Sequence, residues 1–353
     1  VTVKMESIET AVTKYYLFGT KQLLDAENEF WYDQEQLYLY GIDEATLQQA
    51  TVEAKKRKYG MDLSGKANIE IDGLDFFATS VKTDDTTNGV SIKHVKASYV
   101  AHSDRNGGGS TADEDNGILI RGTNNEVDSC EIAYSSAALL NMYGSQNRMI
   151  NCYIHDGNYA TTWSGLVSAK GTDQYIGYNT ICNAIREPLL IRLLQRSIVE
   201  HNDISNGGLG TSDNGLIYAC NTDGMGTEIR YNKVHGSFAA AWGSGIYLDN
   251  QCSHFLVHHN VIWDIPSGGD PLHLNYPSEF NLVFNNTIDA GGNLTGMGYF
   301  YGYYNTWFYN NIAGGQINHP QTVARGNNIT GGTDPLYVDA ASHDYRLAAN
   351  SPA

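Results

Sequence analysis

Four acidic side chains, Glu187, Asp213, Asp249 and Asp270, flank short apolar runs in a chain where charged residues make up only 17% of the total. Paired carboxyl groups are the machinery of glycosidic-bond hydrolysis. One is kept protonated by its surroundings and gives its proton to the leaving oxygen, while the other is base or nucleophile, roughly 5 Å away for retention or about 6.5 to 9.5 Å for inversion. Asp249 ends the run Gly243-Ser-Gly-Ile-Tyr-Leu-Asp249, where a strand would fix it beside Tyr247; Asp213 and Asp270 precede their runs in turns. The expected catalytic pair is therefore Asp213 with Asp249, with Glu187 or Asp270 as the substitute for either. Trp163, Arg192, Trp242, Tyr247, His273 and Asn275 surround these acids in the sequence and supply what a saccharide site needs: rings for sugar faces, amides and cations for hydroxyls.

A repeat has to bring such scattered residues together. Asn or Cys, any residue, then an aliphatic returns about every 26 residues. The copies read Cys130-Glu-Ile132, Cys152-Tyr-Ile154, Asn179-Thr-Ile181, Asn202-Asp-Ile204, Asn232-Lys-Val234, Asn260-Val-Ile262, Asn286-Thr-Ile288 and Asn310-Asn-Ile312, and Leu74-Asp-Phe76 and Val95-Lys-Ala97 fit more loosely. Short apolar runs precede each copy, such as Gly215-Leu-Ile217 and Pro271-Leu-His-Leu274, and no long 3.6-residue period appears. This pattern predicts an all-β fold, a right-handed parallel β-helix of about ten coils, in which the Asn side chains stack in an inward ladder and satisfy one another. Residues alternate in and out along each strand. Counting back from the Asn positions, one outward column should read Arg121, Met142, Ala169, Arg192, Ala219, Asp249, Asn275, Tyr301, and another Leu119, Leu140, Val167, Leu190, Ile217, Tyr247, His273, Tyr299. The candidate residues should then line one cleft in the middle of the helix.

The segment before the coils differs. Glu29-Phe-Trp-Tyr-Asp33 and Leu37-Tyr-Leu-Tyr40 read as an aromatic hairpin, and Asp43 to Lys58 as a polar, helix-capable stretch, so residues 1–58 form a small β-rich subdomain ahead of the β-helix, 59–353.

With 39 acidic against 22 basic residues, a net charge of −17, a phosphate backbone is a poor partner, and no run is apolar enough to span a membrane. Cys130 and Cys152 hold equivalent positions on neighbouring coils and are expected as stacked thiols; Cys220 and Cys252, in loops after corresponding strands, are the better disulfide candidates. No metal site is expected. His258 and His259 are adjacent in a strand and should face opposite ways, and His155 and His235 should cap turns. No cofactor is needed; oxygen donors for calcium collect in the loop from His102 to Asn116, at Asp104 to Gly107 and at Asp113, Glu114 and Asp115, but a solvated loop is the preferred reading. The chain starts with Val and lacks a charged-then-apolar leader, as expected of a processed secreted protein or a piece of a longer one.

Several of these segments carry a resemblance. Glu29-Phe-Trp-Tyr-Asp33, Asp62-Leu-Ser-Gly65, Ile69-Glu-Ile-Asp-Gly-Leu74, the Gly243 to Asp249 run followed by His258-His-Asn260, and the ending Asp334-Pro-Leu-Tyr-Val-Asp339 resemble secreted bacterial right-handed parallel β-helix proteins acting on carbohydrates, among them glycoside hydrolases of the β-xylosidase and α-fucosidase type. The resemblance implies a secreted or cell-surface location and a polysaccharide or oligosaccharide partner. Ser168-Ala-Lys170 and Leu189-Leu-Ile-Arg192 are similar in layout to motifs of the alginate lyase and chondroitinase B family, which would make Lys170 the base and Arg192 the acid of a β-elimination. The chain departs from that family where Trp163 and Gly165 replace calcium-binding glutamates and Leu193 replaces a histidine. A non-catalytic, carbohydrate-binding or adhesive β-helix is the remaining alternative.

Overall fold

The computed structural model describes residues 20–27, 29–33, 35–53, 55–101, 116–159, 163–265, 269–289, 305–315, 324–331 and 333–353. The calcium-capable loop and the column ends Tyr299 and Tyr301 lie outside these, apart from the backbone of Asn116. The chain divides into two units, Val1–Lys56 and Arg57–Ala353. In the first, Phe30–Tyr32 pairs antiparallel with Leu37–Leu39, Trp31 meeting Tyr38 at 5.4 Å between ring centres. An α-helix forms at Glu44–Gln49, where the Asp43 carboxylate caps the Thr46 N–H at 2.7 Å, and a short 3-10 turn at Lys21–Leu23.

The second unit is a right-handed parallel β-helix of three sheets, with 10, 11 and 10 strands among the described residues. Each coil contributes one strand to each sheet in turn. The first sheet includes Ala138–Ser145, Val167–Thr172, Leu189–Leu190, Asn214–Cys220, Gly243–Asp249 and Leu272–Leu274; the second includes Asp223–Arg230 and Ser253–His258; the third includes Asp203–Gly207, Lys233–Ser237, Val261–Trp263 and Thr287–Asp289. The core fills with one side chain per strand stacked on its equivalents: Ile132, Ile154, Ile181, Ile204, Val234, Ile262 and Ile288 are all buried in a single file. Phe76 and Ala97 head the same file, as their looser motifs require.

The corner between the second and third sheets explains the repeated Asn. One residue there adopts left-handed backbone: Tyr178, His201, Tyr231, His259, Asn285 and Asn310, with φ of 60, 54, 55, 55, 54 and 53°. The next residue turns inward. Asn179 Nδ2 donates to Asn202 Oδ1 at 2.9 Å, Asn202 to Asn232 at 2.9 Å, Asn232 to Asn260 at 3.0 Å and Asn260 to Asn286 at 3.0 Å, while backbone carbonyls such as Val199 O take the second amide hydrogen. The ladder then continues through Asn311 and Asn328, not Asn310. Asn310 takes the exposed left-handed corner, a conformation Asn tolerates, so Ala313 rather than Ile312 is the counterpart of Ile288. At its other end Cys152 offers its N–H to Asn179 Oδ1 at 2.9 Å, and Cys130 lies buried one coil before it. All five cysteines are free, Cys220 and Cys252 included.

A second ladder, written in mixed letters, lines the corner between the first and second sheets. Asn125 donates to Asn147 at 3.1 Å, Gln174 N–H to Ser197 Oγ at 3.0 Å, Ser197 N–H to Thr227 Oγ1 at 3.2 Å, and Phe255 N–H to Asn281 Oδ1 at 2.9 Å. Beside its start, Gly144 and Gly171 approach each other so closely that a Cβ on Gly171 would sit 1.9 Å from Gly144 O.

The corners also correct two expectations about histidine. His259 leaves the strand at φ 55°, and this swings its ring toward His258, so the two Nδ1 atoms stand 2.8 Å apart instead of on opposite faces. No group of three or more potential metal ligands occurs among the described residues. His155 and His235 belong to third-sheet strands and do not cap turns; His235 Nε2 meets Asp203 Oδ1 at 2.9 Å.

Candidate active site

The first sheet sets the register of the candidate residues. Asn141, Ser168, Leu190, Tyr218, Tyr247 and His273 form one outward column, and the next one outward runs through Tyr143, Lys170, Cys220 and Asp249. The columns counted back from the Asn positions slip by one wherever the corner changes length. Leu140, Val167, Ile217, Met142, Ala169 and Ala219 point inward and are fully or nearly buried.

Asp249 closes the strand Gly243–Asp249 and is only 7% exposed. A buried carboxylate is held only where donors replace water. Here Tyr218 Oη donates to Oδ2 at 2.7 Å, while Asn275 Nδ2 and the Asn250 N–H donate to Oδ1 at 2.7 and 2.9 Å. These donors come from the preceding coil, the next coil and the same strand end, so stacking itself assembles the cradle. Burial, then the bond to Asp249, raises the Tyr218 hydroxyl pKa well above the ordinary phenol value, which keeps it a donor; burial also raises Tyr247, reinforced by the Asp249 and Asp213 charges.

Asp213 and Trp242 stand at equivalent positions just before paired strands, both in left-handed backbone, at φ 55 and 51°. This turns both outward: Asp213 is exposed and Trp242 is 68% exposed. One coil on, Asp270 Oδ2 meets His273 Nδ1 at 2.8 Å, and the His273 ring stands edge to face with Tyr247 at 4.4 Å. Asp213, Trp242, Tyr247, Asp249, Asp270 and His273, with Asn275 at the end, line one pocket of about 310 Å³. Three carboxylates, one from each of three successive coils, thus enter the same space.

Glu187, Trp163, Arg192 and Lys170 sit elsewhere. Glu187 is 1% exposed; its Oε1 accepts from Arg186 Nε at 2.7 Å and its Oε2 is buried without a partner among the described residues. Burial raises its pKa to about 7, with Asp213 adding to the effect and Arg186 opposing it. Arg186 ties this buried acid to the pocket wall, since its Nη2 donates to the Asp213 carbonyl at 3.2 Å and its guanidinium lies 5.0 Å above the exposed Trp163 ring. Lys170 is exposed on the strand Val167–Thr172 and Arg192 is exposed in the turn that follows Leu189–Leu190 one coil on, each two residues past the paired Ser168 and Leu190, and neither lines the pocket. Arg186, Tyr218 and Asn250 escaped the reading of the sequence. Only Tyr218 left a trace there, as an aromatic one coil before Tyr247 in the same kind of run.

Several solved structures are similar to this chain at low identity. The periplasmic alginate epimerase AlgG shares 10% identity over 71% of this chain and 62% of its own, with a TM-score of 0.48. DFA-IIIase from Arthrobacter chlorophenolicus A6 shares 14% over 75% of this chain and 69% of its own, at a TM-score of 0.46. The A-module of the mannuronan C-5 epimerase AlgE4 of Azotobacter vinelandii shares 10% over 78% and 87%, at 0.39. None of these likenesses transfers a substrate or a catalytic residue, and this chain spans less than two thirds of AlgG. No curated protein matches the sequence. Residues 84–262, about half of the chain, match the family described as right handed beta helix region, and the chain belongs to that family.

Proposed function

We propose that this protein is a carbohydrate-active β-helix enzyme that hydrolyses a glycosidic bond in the pocket of Asp213, Asp249 and Asp270. The observation that supports this most is the convergence of those carboxylates beside an exposed Trp242. Asp249, with three donors on its two oxygens, is suited to be the base or nucleophile, because the hydrogen bonds fix its direction on a rigid strand end. Asp213, exposed across the pocket, is the partner acid, and Asp270 orients His273 toward the sugar. Trp242 offers a ring face and Asn275 an amide to substrate hydroxyls. A polymer cannot cross a membrane intact, so the activity belongs to a secreted or cell-surface protein; among the described residues no helix is long and apolar enough to span one.

The test is a screen of neutral and uronic polysaccharides, read both as new reducing ends and as ultraviolet absorbance of an unsaturated product. Reducing ends without absorbance, abolished by Asp249→Asn and Asp213→Asn with unfolding temperature unchanged, is the expected result. A second reading rests on Lys170, on the strand Val167–Thr172, and Arg192, in the turn after Leu189–Leu190 on the neighbouring coil, which could serve β-elimination as base and acid. An unsaturated product lost on changing either residue would replace hydrolysis with that reaction. Binding without any product would leave a carbohydrate-binding β-helix.

A further inference from the structure

The third sheet carries a second pocket, of about 590 Å³, on a different face of the coils from the acidic one. Its floor is one outward column in strict register over four successive coils: Asp203, Lys233, Val261 and Thr287. Strand stacking spaces these positions by about 4.8 Å. Trp263, two residues past Val261 and in register with His235, packs flat against the His235 ring at 4.2 Å and is only 7% exposed, so little of its ring contributes. The C-terminal pair Tyr337–Asp339 and Asp344–Leu347 supplies the roof, with His343 and Tyr345 packed at 5.2 and 5.9 Å from the Trp263 ring.

The polar groups on this floor are available. Asp203 accepts from His235 through Oδ1, and its Oδ2 has no partner among the described residues. Lys233 feels the Asp203 charge but forms no hydrogen bond or ion pair among the described residues, and the Thr287 hydroxyl likewise has none. An acceptor, a cation and a hydroxyl therefore recur along the helix axis on rigid strands, separated by an apolar step at Val261. Charge in the pocket is balanced, Lys233 and Arg346 against Asp203 and Asp344, and Arg346 already clasps Asp344 through Nε at 2.8 Å. A chain of net charge −17 has no other means here of attracting a polyanion.

We infer that this pocket is a second saccharide site, which holds a neutral polysaccharide segment along the coil axis away from the acidic pocket. The inference rests on the carbohydrate-active reading above. Its ligand is held by hydroxyl hydrogen bonds to Asp203, Lys233 and Thr287 rather than by ring stacking, and it tethers the enzyme to polymer without taking part in bond cleavage.

Gel electrophoresis through arabinoxylan, mixed-linkage β-glucan, galactomannan or alginate tests this, with release of reducing ends from short soluble oligosaccharides measured in parallel. The full chain and Trp242→Ala should both be retarded in at least one neutral gel. Lys233→Ala with Thr287→Val should weaken that retardation about tenfold or more, the effect of losing two hydrogen bonds with one of them charged, while turnover of short substrates stays at the level of the unaltered chain. If that variant melts early, Asp203→Asn, which keeps the side-chain shape, carries the same expectation. Retardation in no neutral gel, or only in alginate, or abolished by Trp242→Ala and kept by the double variant, overturns the second site. Absence of reducing ends from every substrate is read separately and overturns the hydrolase proposal.

Discussion

Asp249 and Glu187 show how the same functional group is handled in two opposite ways a few residues from one pocket. Asp249 is buried and saturated with donors, so its charge is compensated where it stands. Removing one donor, in Tyr218→Phe, should lower kcat by about tenfold when measured well below the melting temperature, and should also lower the unfolding temperature, since losing a hydrogen bond to a buried charged group costs about 1.5–3 kcal/mol. Steady-state kinetics beside a melting curve separates that outcome from simple destabilisation. Glu187 has one oxygen on Arg186 and the other on no partner among the described residues. Its pKa in the fold, about 7, lies above its ordinary 4.5, so between those values the folded chain binds more protons than the unfolded one and stability falls as pH rises. The contribution is roughly 3 kcal/mol, fully felt above pH 7 and absent below about 4.5. Glu187→Gln should remove that slope from the stability–pH profile measured by denaturant unfolding at pH 5 and pH 8; an unchanged slope would mean the carboxyl is hydrated.

At the scale of the coil, each corner has its own rule, and the rules differ in how plainly they are written. The corner between the second and third sheets needs a left-handed residue and then an inward amide, which leaves a repeated letter. Asn232→Leu keeps the volume but strands the amide groups of Asn202 and Asn260 in the core; a loss of about 1–3 kcal/mol for each unpartnered group is expected in chemical denaturation. The corner between the first and second sheets works with Asn, Ser or Thr, because each presents an oxygen to an N–H of the preceding coil, and it also admits Gln174, whose Nε2 donates to Gly144 O at 3.3 Å, and so no letter repeats. Gly171 there is required twice over, by φ 115° and by the Gly144 carbonyl 1.9 Å from where its Cβ would be. Gly171→Ala should be more destabilising than any other Gly→Ala change at an exposed turn such as Gly73, where nothing lies within 4 Å of the added carbon.

In this molecule the coils of the β-helix stack so that each pairs with its neighbours, and the outward surfaces are therefore columns running along the axis in which distant stretches of chain meet through register. Its net charge of −17 is a cost carried by the folded stack, where the carboxylates are closer together than in the unfolded chain. Raising sodium chloride from about 10 mM to about 0.5 M shortens the screening length several-fold and should raise the melting temperature at pH 7. Calorimetry in a salt series at pH 7 and again near pH 4, where many carboxylates are neutral and the gain should shrink, checks the origin of the effect.

The periodic Asn or Cys with its aliphatic partner determined the fold without help, because a buried amide must be satisfied by its own repeat and an inward aliphatic must lie at a fixed offset from it. The same logic made Asp249, Asp213, Asp270, Trp242, Tyr247 and His273 legible as companions, since Asp213, Trp242 and Asp270 precede equivalent runs, Asp249 ends one, and Tyr247 and His273 hold equivalent positions within theirs. The register across the first sheet was beyond reach: corners that gain or lose a residue shift every side chain to the opposite face, as the slipped Leu140, Val167 and Ile217 show. Two adjacent asparagines, 310 and 311, could not be ranked by letter, since Asn suits both the left-handed corner and the ladder. Burial of Glu187, the meeting of His258 with His259, and the donors on Asp249 were decided only by tertiary structure, because each depends on which groups on the next coil come within about 3 Å, a distance that sequence spacing does not encode.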